Sequence, residues 1–537
     1  MKVADFFCGA GGFSEGFRQA GFDIVFALDK WQPAVNTHHA NHPQAKTILA
    51  DIEHISVLPD SEFENLIPDT EIIIGSPPCV AFSNSNKSGK GDKTLGLRLL
   101  NAYLRIIARK KFKKNSILKY WVLENVPNIE KYIKCAYTAK DLGLKGDFKL
   151  KVINDSSSVY NAKYFGVPSN RNRFLCGDFP KPNKLINNDD EVVPLKVVLD
   201  ELGIPCERLD RIVKDPNYNF RMNAIDITDH HYICEVAEFE WRKARRLKED
   251  KGYMGRMAFP ENLNKPARTI MATMSCSSRE SMIYGYKDGR YRLPTVREVA
   301  SIMTFPIDYK FYASSKGLKY RLVGNAVPPK LSFAIANAIN LKEGKKLNNT
   351  YIPIIHNEDK EFYNLNFEIF HLNNEKPKRN IARFKYHIPY MIINSYRVEL
   401  TNYKSNFEKL NFKWTVEIHR SQGKNAKVFT PYINQKILEE ELSIKVSEFI
   451  KINTLEITSH NELQRIFCLT DKERAGLVGP YELLEKVKEF IEANLDRTER
   501  IQLLKLKEPP NELPTAIAMG YIILDCIVRN MGRGKNE

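Results

Sequence analysis

A cysteine that follows two prolines is the residue of this sequence best placed to act as a nucleophile. Three β-branched residues, Ile72 to Ile74, predict a buried strand, and Pro77 and Pro78 must end it because proline cannot continue a ladder. Cys79 would then lie on a stiff loop at the carboxyl end of a strand, where open α/β sheets carry their chemistry. The same pattern is also typical of a structural cysteine, because free cysteines are usually small core residues.

Two further segments could supply an acid and two cations. Glu124 ends an apolar run, and burial there would raise its pKa and suit it to hold or donate a proton near neutrality. Arg171 and Arg173 are two residues apart, so that an extended backbone would place them on one face. Guanidinium groups grip a carboxylate or a phosphate through two hydrogen bonds. A salt-bridged glutamate and a solvated basic strand are the ordinary alternatives.

A glycine-rich turn near the N-terminus could hold a ligand. Gly9, Gly11 and Gly12 follow the first strand candidate, and they allow a tight turn and close backbone approach at the start of a helix. The turn is not a phosphate-type G-x-G-x-x-G and no Walker lysine follows, so nucleoside triphosphate binding is not expected. Asp29 and Asp51 end the next two strand candidates and could accept hydrogen bonds from a ribose and an adenine amino group. Together they suggest a nucleoside-containing cofactor, although aspartate at a strand end is also a common helix cap.

The elements that must position these residues alternate between short apolar runs and helical patterns, which predicts a mostly parallel sheet. The strand candidates are Val3–Phe7, Ile24–Leu28, Thr47–Ala50, Ile72–Gly75, Trp121–Glu124 and Arg173–Gly177. From Pro180 to about Arg290 the sequence is irregular, apart from a basic helix-like segment at Trp241–Lys248. Further on, two strands and one helix are predicted at Arg397–Leu400, at Lys413–Ile418, and at Leu484, Val487, Ile491 and Leu495.

Composition limits the classes of function. The chain has 537 residues, which favours two or three domains. Its nine cysteines include no CxxC pair and no metal-type spacing, so we expect a reducing compartment and no metal site. No secretory segment and no apolar run of membrane-spanning length are seen, and no membrane partner is expected. The formal net charge of +16 favours a polyanionic partner, of which nucleic acid is the commonest.

In order and spacing, six segments resemble the motifs of the DNA cytosine-5 methyltransferase family, over residues 1 to about 340. The segments are Asp5–Ser14, Ser76–Cys79, Glu124–Val126, Arg171–Arg173, Arg292–Glu298 with Phe305 and Pro306, and Gly324–Pro329. The resemblance implies an α/β fold with a Rossmann-like S-adenosylmethionine-dependent methyltransferase sheet and a smaller target recognition domain. We expect a separate C-terminal α+β domain outside the resemblance. The expected ranges are 1–180 with 318–341 for the catalytic domain, 181–317 for target recognition, 342–360 for a linker and 361–537 for an accessory domain.

The resemblance also implies roles for individual residues. Cys79 would attack C6 of cytosine, protonated Glu124 would bind N3, and Arg173 would contact the base and the acid, with Arg171 in support. S-adenosylmethionine is the expected cofactor, bound by Phe6, Gly9, Gly11, Gly12, Asp29, Asp51, Ile52, Pro78, Asn325 and Val327. Contacts with double-stranded DNA are expected from Ser83, Ser85, Lys87, Arg245, Arg268, Thr269 and Thr273.

The setting implied is a bacterial or archaeal cytoplasm, close to the nucleoid, with a cognate restriction endonuclease acting on the same site. Three alternatives stay open at this point. A tRNA cytosine-5 methyltransferase would carry the same motifs, and a catalytically silent DNA-binding protein could keep the fold. The C-terminal domain could be a nuclease with Glu399 and Glu417 as metal ligands, although no Asp followed by Glu-x-Lys is present.

Overall fold

The structure is a computed structural model of the chain. It describes residues 1–78, 82, 93–249, 256–356, 381–421, 426–470 and 473–531, and the backbone of 369–370. The chain divides into two compact units. The first contains residues 1–236 and 260–371, and the second contains 237–259 and 372–537. Within the described residues, no helix combines the length and the apolar character that crossing a membrane requires.

A seven-stranded sheet organises the first part of the first unit. Its order is β3-β2-β1-β4-β5-β10-β8, with the first five strands parallel and the last two antiparallel. The α/β fold and all six predicted strands are confirmed. The elements up to Asp178 are β1 (Lys2–Phe6), α1 (Gly12–Gln19), β2 (Asp23–Asp29), α2 (Gln32–Asn41), β3 (Lys46–Leu49), α3 (Ile52–Ser56), α4 (Asp60–Leu66), β4 (Ile72–Gly75), α5 (Lys93–Lys111), β5 (Tyr120–Asn125), β6 (Ala136–Thr138), β7 (Lys149–Lys151), β8 (Ser158–Asn161), β9 (Ser169–Asn170) and β10 (Asn172–Asp178).

Both faces of this sheet are covered, which explains why β4 is apolar at every position. Ile73 belongs to a core with residues of α3, α4 and α5, whereas Ile72 and Ile74 belong to a core with residues of α1. Because successive side chains of a strand point to opposite faces, a strand buried on both sides needs no polar alternation. The carboxyl ends of the parallel strands are thereby fixed at one edge of a rigid scaffold.

In the described residues, the rest of the first unit contains short strands and four α-helices. They are α6 (Leu195–Leu202), β11 (Ile212–Lys214), β12 (Arg221–Asn223), β13 (Ile233–Glu235), β14 (Ala267–Arg268), β15 (Tyr284–Gly285), β16 (Tyr291–Leu293), α8 (Val296–Ile302), α9 (Lys316–Asn325), α10 (Pro329–Lys342) and β17 (Ile369–Phe370). We number the intervening helix Glu238–Glu249 α7. Thr295 and Glu298 form a capping box at the start of α8, and Arg292 donates two hydrogen bonds of 2.7 Å to the buried Glu298.

The segment predicted as a linker, 342–360, includes residues that pack on the first unit. Ile352 exchanges hydrogen bonds of 2.8 and 2.9 Å with the side chain of Gln19, and its carbonyl also accepts one from Arg18. Tyr351 donates to Asp308 at 2.5 Å. Up to residue 356, this stretch is held along α1. A linker was predicted at 342–360 from its polar composition and stays a prediction; composition does not reveal the hydrogen-bonding partners of Tyr351 and Ile352.

The second unit has a four-stranded antiparallel sheet, β18-β19-β20-β21, packed against helices. Its elements besides α7 are β18 (Lys385–His387), β19 (Tyr396–Thr401), β20 (Thr415–Arg420), β21 (Lys427–Phe429), α11 (Glu440–Glu456), α12 (His460–Cys468), α13 (Pro480–Asn494), α14 (Arg497–Ile501), β22 (Leu503–Lys505), β23 (Glu512–Pro514) and α15 (Thr515–Asn530). Helix α15 is apolar on nearly all sides and is buried in the core. The expected α+β class of this unit is confirmed.

Candidate active site

The glycine turn after β1 requires glycine at two positions for packing reasons. Gly11 has φ +84°, a left-handed conformation, and a Cβ there would collide with the hydroxyl group of Tyr309. A Cβ on Gly12 would collide with the carbonyl oxygen of Val327, so the segment 324–329 lies against the first turn of α1. At Gly9, among the described residues other than its two chain neighbours, the one atom within 4 Å of an added Cβ would be the carbonyl oxygen of Phe7, 3.9 Å away. The backbone at Gly9 is therefore open to a ligand.

The aromatic residue at this turn is Phe7 and not Phe6. Phe6 is fully buried and packs on Phe26 and Tyr103 inside the sheet core, so its ring is closed to any ligand. Phe7 is the first residue after β1, has φ +59° and is half-buried. The contact of Phe6 with a cofactor stays a prediction, and Phe7 is the neighbouring residue whose ring is only half-buried. The run Phe6-Phe7 gave no signal for which ring faces outward, because that depends on where the strand ends.

Acidic side chains follow β2 and β3 at the same edge of the sheet. Asp29 accepts hydrogen bonds of 2.9 Å from the N–H groups of Gly9 and Trp31, and burial raises its pKa. Asp51 caps α3 through the N–H of Glu53 and pairs with Lys30 at 2.6 Å, a hydrogen bond that lowers its pKa. Both carboxylates are oriented by the backbone and keep further acceptor capacity.

These donors and acceptors fit a nucleoside-containing cofactor. The strand order reverses at β1 and β4, and ligands of open α/β sheets bind outside the carboxyl ends of strands at such a point. Gly9 and Asp29 lie there with an open backbone and an oriented acceptor. The other predicted cofactor residues differ in exposure: Ile52 and Val327 are buried, whereas Pro78 and Asn325 are exposed. Their contacts with a cofactor stay predictions.

Glu124 lies at the end of β5 with only 6% of its surface exposed. Burial raises its pKa, and the charges of Arg173 and Arg171 oppose that rise. The Nε atom of Arg173 donates to Glu124 Oε1 at 2.8 Å. The structure thus provides a carboxyl group whose pKa burial raises, held in one orientation by a guanidinium group.

Arg171 and Arg173 have different surroundings although they are two residues apart. Arg171 is 1% exposed and donates to the carbonyl oxygens of Ile270, Gly324 and Ala326 at 2.9 to 3.1 Å. It therefore joins three backbone segments of the first unit, while the contact with the acid belongs to Arg173. The antiparallel register of β10 with β5 places Leu175 directly opposite Glu124. Arg173 is two residues before Leu175 and therefore on the same face of β10, which explains its contact with Glu124.

Asn125 is a site residue to which sequence reasoning gave no role. Its side chain donates to the carbonyl oxygen of Pro77 at 2.8 Å, and Asn125 is buried. The end of β5 and the Pro77-Pro78 turn are thus fixed to each other. The signal was present in the sequence as an amide next to Glu124, but its partner lies 48 residues away. Cys79 itself lies outside the described residues, as do Ser83, Ser85 and Lys87.

The remaining residues predicted to contact DNA are in both units. Arg268 pairs with Glu261 at 2.7 Å, the hydroxyl group of Thr269 donates to the carbonyl of Asn170 at 2.8 Å, and Thr273 is exposed. Arg245 is in the second unit, on α7, where it pairs with Glu249. None of these contacts identifies a DNA-binding role, which stays a prediction for all four residues.

The two glutamates considered as nuclease ligands do meet, on β19 and β20. Glu399 lies directly opposite Glu417 in the ladder, and His419 Nε2 lies 3.1 and 3.0 Å from their carboxylate oxygens. Arg397 and Lys385 also pair with Glu399, at 2.6 and 3.3 Å. Cations of the protein thus neutralise this cluster. Among the residues that the structure describes, no group of three or more His, Cys, Asp or Glu is arranged to hold a metal ion.

Comparisons with known proteins found matches to about two thirds of this chain. A family model described as C-5 cytosine-specific DNA methylase matches residues 1–341. The type II methyltransferase M.MthTI of Methanothermobacter thermautotrophicus is 28% identical over 359 residues, which cover 63% of this chain and 97% of that protein. M.HgiDI of Herpetosiphon aurantiacus is 28% identical over 346 residues, with 63% and 94% covered. Among solved structures, the S. pombe Dnmt2 methyltransferase is 19% identical, with 64% and 99% covered and a TM-score of 0.43.

Proposed function

Because the chain belongs to the C-5 cytosine-specific DNA methylase family, and is thus a DNA cytosine-5 methyltransferase, we propose that it acts on a cytosine flipped out of a specific duplex site. We propose further that this methylation protects the site from a partner restriction endonuclease. The second proposal is supported by the type II methyltransferases among the relatives. Flipping is required by the chemistry, since C5 and C6 of a stacked base cannot be reached inside the duplex.

The observation that carries the proposed mechanism is the buried pair of Glu124 and Arg173. Cytosine C5 is a poor nucleophile until a thiolate adds to C6, which we assign to Cys79. As the thiolate adds, negative charge develops on the ring, and Glu124 would hold a proton at N3 to stabilise that charge. Arg173 would keep the Glu124 carboxyl oriented toward the base. Asn125 would keep the Pro77-Pro78 turn, which directly precedes Cys79 in the sequence, fixed to the same strand.

S-adenosylmethionine fits the turn described above and, when bound, supplies the methyl group that C5 receives. Gly9 and Asp29 would hold it through a backbone group and a carboxylate, and Phe7 would offer its ring. After C5 has been methylated, loss of the C5 proton to a base restores the aromatic ring and expels the Cys79 thiolate. The product is 5-methylcytosine, and the enzyme returns to its starting state.

Substitution of the nucleophile tests this mechanism. Cys79→Ala should abolish methyl transfer to duplex DNA, and a duplex with 5-fluorocytosine at the target should trap the wild type as a covalent adduct. The adduct persists because fluorine at C5 cannot leave as the proton does. An active Cys79→Ala enzyme would falsify the assignment of the nucleophile.

The substrate is tested separately, with labelled methyl transfer to duplex DNA and to tRNA as parallel reactions. Transfer to duplex DNA alone is expected, and transfer to tRNA alone would replace the proposed substrate. Bisulfite sequencing of DNA from cells that express the protein would then identify the site. Methylation at scattered cytosines, with no common sequence, would contradict protection against a site-specific endonuclease.

A further inference from the structure

Helix α7 (Glu238–Glu249) folds with the C-terminal unit although it is encoded in the middle of the first. The chain leaves the first unit after Val236, forms α7 and returns at Pro260. The surrounding stretch, 181–317, is the one that the resemblance implies for target recognition. A segment of the expected recognition region is thus built into the unit whose role was unknown.

Contacts with the C-terminal sheet and helices hold α7 in place. The guanidinium group of Arg246 lies 4.3 Å from the ring centre of Tyr386 and 5.5 Å from that of Tyr481, a cation–π arrangement. Tyr390 donates to Glu249 at 3.0 Å, and Ala244 and Lys248 are buried. These side chains of α7 are engaged in packing within the second unit.

Three other cations of α7 are exposed to solvent. The side chains of Arg242 and Arg245 are 68% and 54% exposed, and Lys243 is exposed as well. Arg242 pairs with Glu238 and Arg245 with Glu249, each one helical turn away. Exposed pairs of this kind are weak, so a phosphate group can compete for the arginines.

We propose that these exposed cations of α7 bind phosphates of duplex DNA, and that the C-terminal unit serves to hold the helix for that contact. The inference rests on the proposed function, in which duplex DNA is the substrate. Charge complementarity supports it, because three cations of the helix are exposed and the backbone of DNA is the polyanion that this enzyme meets. Phosphate contacts carry no sequence information, so these cations would add affinity and not choose the site.

The test compares two variants of the full-length chain. R242Q/K243Q/R245Q removes the three charges of α7, and K436Q/K445Q/K451Q removes three exposed lysines elsewhere in the same unit. Binding to a duplex without the target site is measured by fluorescence anisotropy between 50 and 300 mM salt. Each phosphate contact contributes about 0.9 to the slope of log K against log salt. The α7 variant should lower the slope by roughly 2 to 3, whereas the control should leave it unchanged.

Two further measurements separate the possible outcomes. Cofactor affinity should match the wild type in the α7 variant, because the helix does not include any residue of the cofactor turn. R246M, which removes the cation between the two tyrosines, should also lower the slope if the unit holds the helix. Equal salt slopes for the α7 variant and its control would overturn the inference. A slope for R246M equal to that of the wild type would show that the C-terminal unit does not hold α7 for DNA binding. A wild type that neither binds nor methylates duplex DNA would instead refute the proposed function.

Discussion

Replacing Arg171 by methionine and replacing Arg173 by methionine should affect different properties of the protein. Arg171 donates three hydrogen bonds to backbone carbonyls of distant segments, and Arg173 holds Glu124. Arg171→Met should therefore reduce the stability of the first unit. Arg173→Met should instead reduce methylation and leave stability nearly unchanged.

The magnitude for Arg171 follows from its hydrogen bonds. A hydrogen bond to a charged group contributes about 1.5 kcal/mol at the lower end, so three give roughly 4 to 5 kcal/mol. Methionine no longer requires a guanidinium group to be desolvated, which offsets part of the loss, and we expect a net destabilisation of about 3 kcal/mol. In Arg173→Met, Glu124 loses the cation that opposes the rise of its pKa, so it can take up a proton and become neutral. Because the buried pair is then replaced by a neutral acid and not by an unpaired charge, the cost in stability should stay near the roughly 1 kcal/mol of one lost hydrogen bond.

Native-state hydrogen exchange measures the stability of the first unit separately from that of the second. Peptides that cover β5 and β10 report the global opening of the large sheet. A loss of 3 kcal/mol corresponds to roughly 100- to 200-fold faster exchange, and 1 kcal/mol to about fivefold. Methylation by Arg173→Met, measured with saturating DNA and cofactor, should fall by about 100-fold or more, since the acid loses its orientation.

The reverse result would refute the division of roles. If Arg171→Met exchanged as slowly as the wild type, its three hydrogen bonds would contribute nothing to stability. If Arg173→Met kept full activity, the ion pair with Glu124 would have no part in catalysis. The double variant Glu124→Gln/Arg173→Met tests whether the two residues are coupled. If they act as one unit, the double variant should lose little more methylation rate than either single variant.

Three further predictions concern the acid and the cofactor turn. Burial raises the pKa of Glu124, and the protonated form is the active one, so the methylation rate should fall as pH rises through that raised value; Glu124→Gln should lose this alkaline limb and about 100-fold or more in rate. Gly11→Ala forces a Cβ onto Tyr309 at a left-handed φ, and calorimetric titration should show at least roughly tenfold weaker S-adenosylmethionine binding; unchanged affinity would contradict the packing argument. Asp29→Asn removes the charge of the acceptor that fixes Gly9 and should weaken cofactor binding by about tenfold, with duplex DNA binding unchanged as the control.

The sheet could be predicted because its signals are local. Ile72 to Ile74, followed by two prolines, contain both a buried strand and its end, and the structure begins and ends β4 at Ile72 and Gly75. Helix α13 was likewise indicated by the spacing of its apolar residues, and Leu484, Val487 and Ile491 are fully buried. Patterns of this kind depend on burial periodicity alone, which a single sequence displays.

What could not be predicted depends on contacts between distant residues. The partners of Arg171 lie 99 to 155 residues away, and nothing near Arg171 distinguishes it from Arg173. Phe6 and Phe7 differ only in which face of a strand end each occupies. The polar composition of 342–360 does not reveal that Tyr351 and Ile352 find hydrogen-bonding partners at Asp308 and Gln19.

The packing of α7 has a consequence for the order in which the protein is made. Arg246 leaves the ribosome before Tyr386, and well before Tyr481, the two rings that cover its guanidinium group. At about 5 to 20 residues per second, the helix waits roughly 10 to 50 s for the second ring. During that time α7 lacks the two rings that contact its guanidinium group in the completed protein. Nascent chains that stop before residue 481 should therefore be more sensitive to protease at 237–259 than the completed protein.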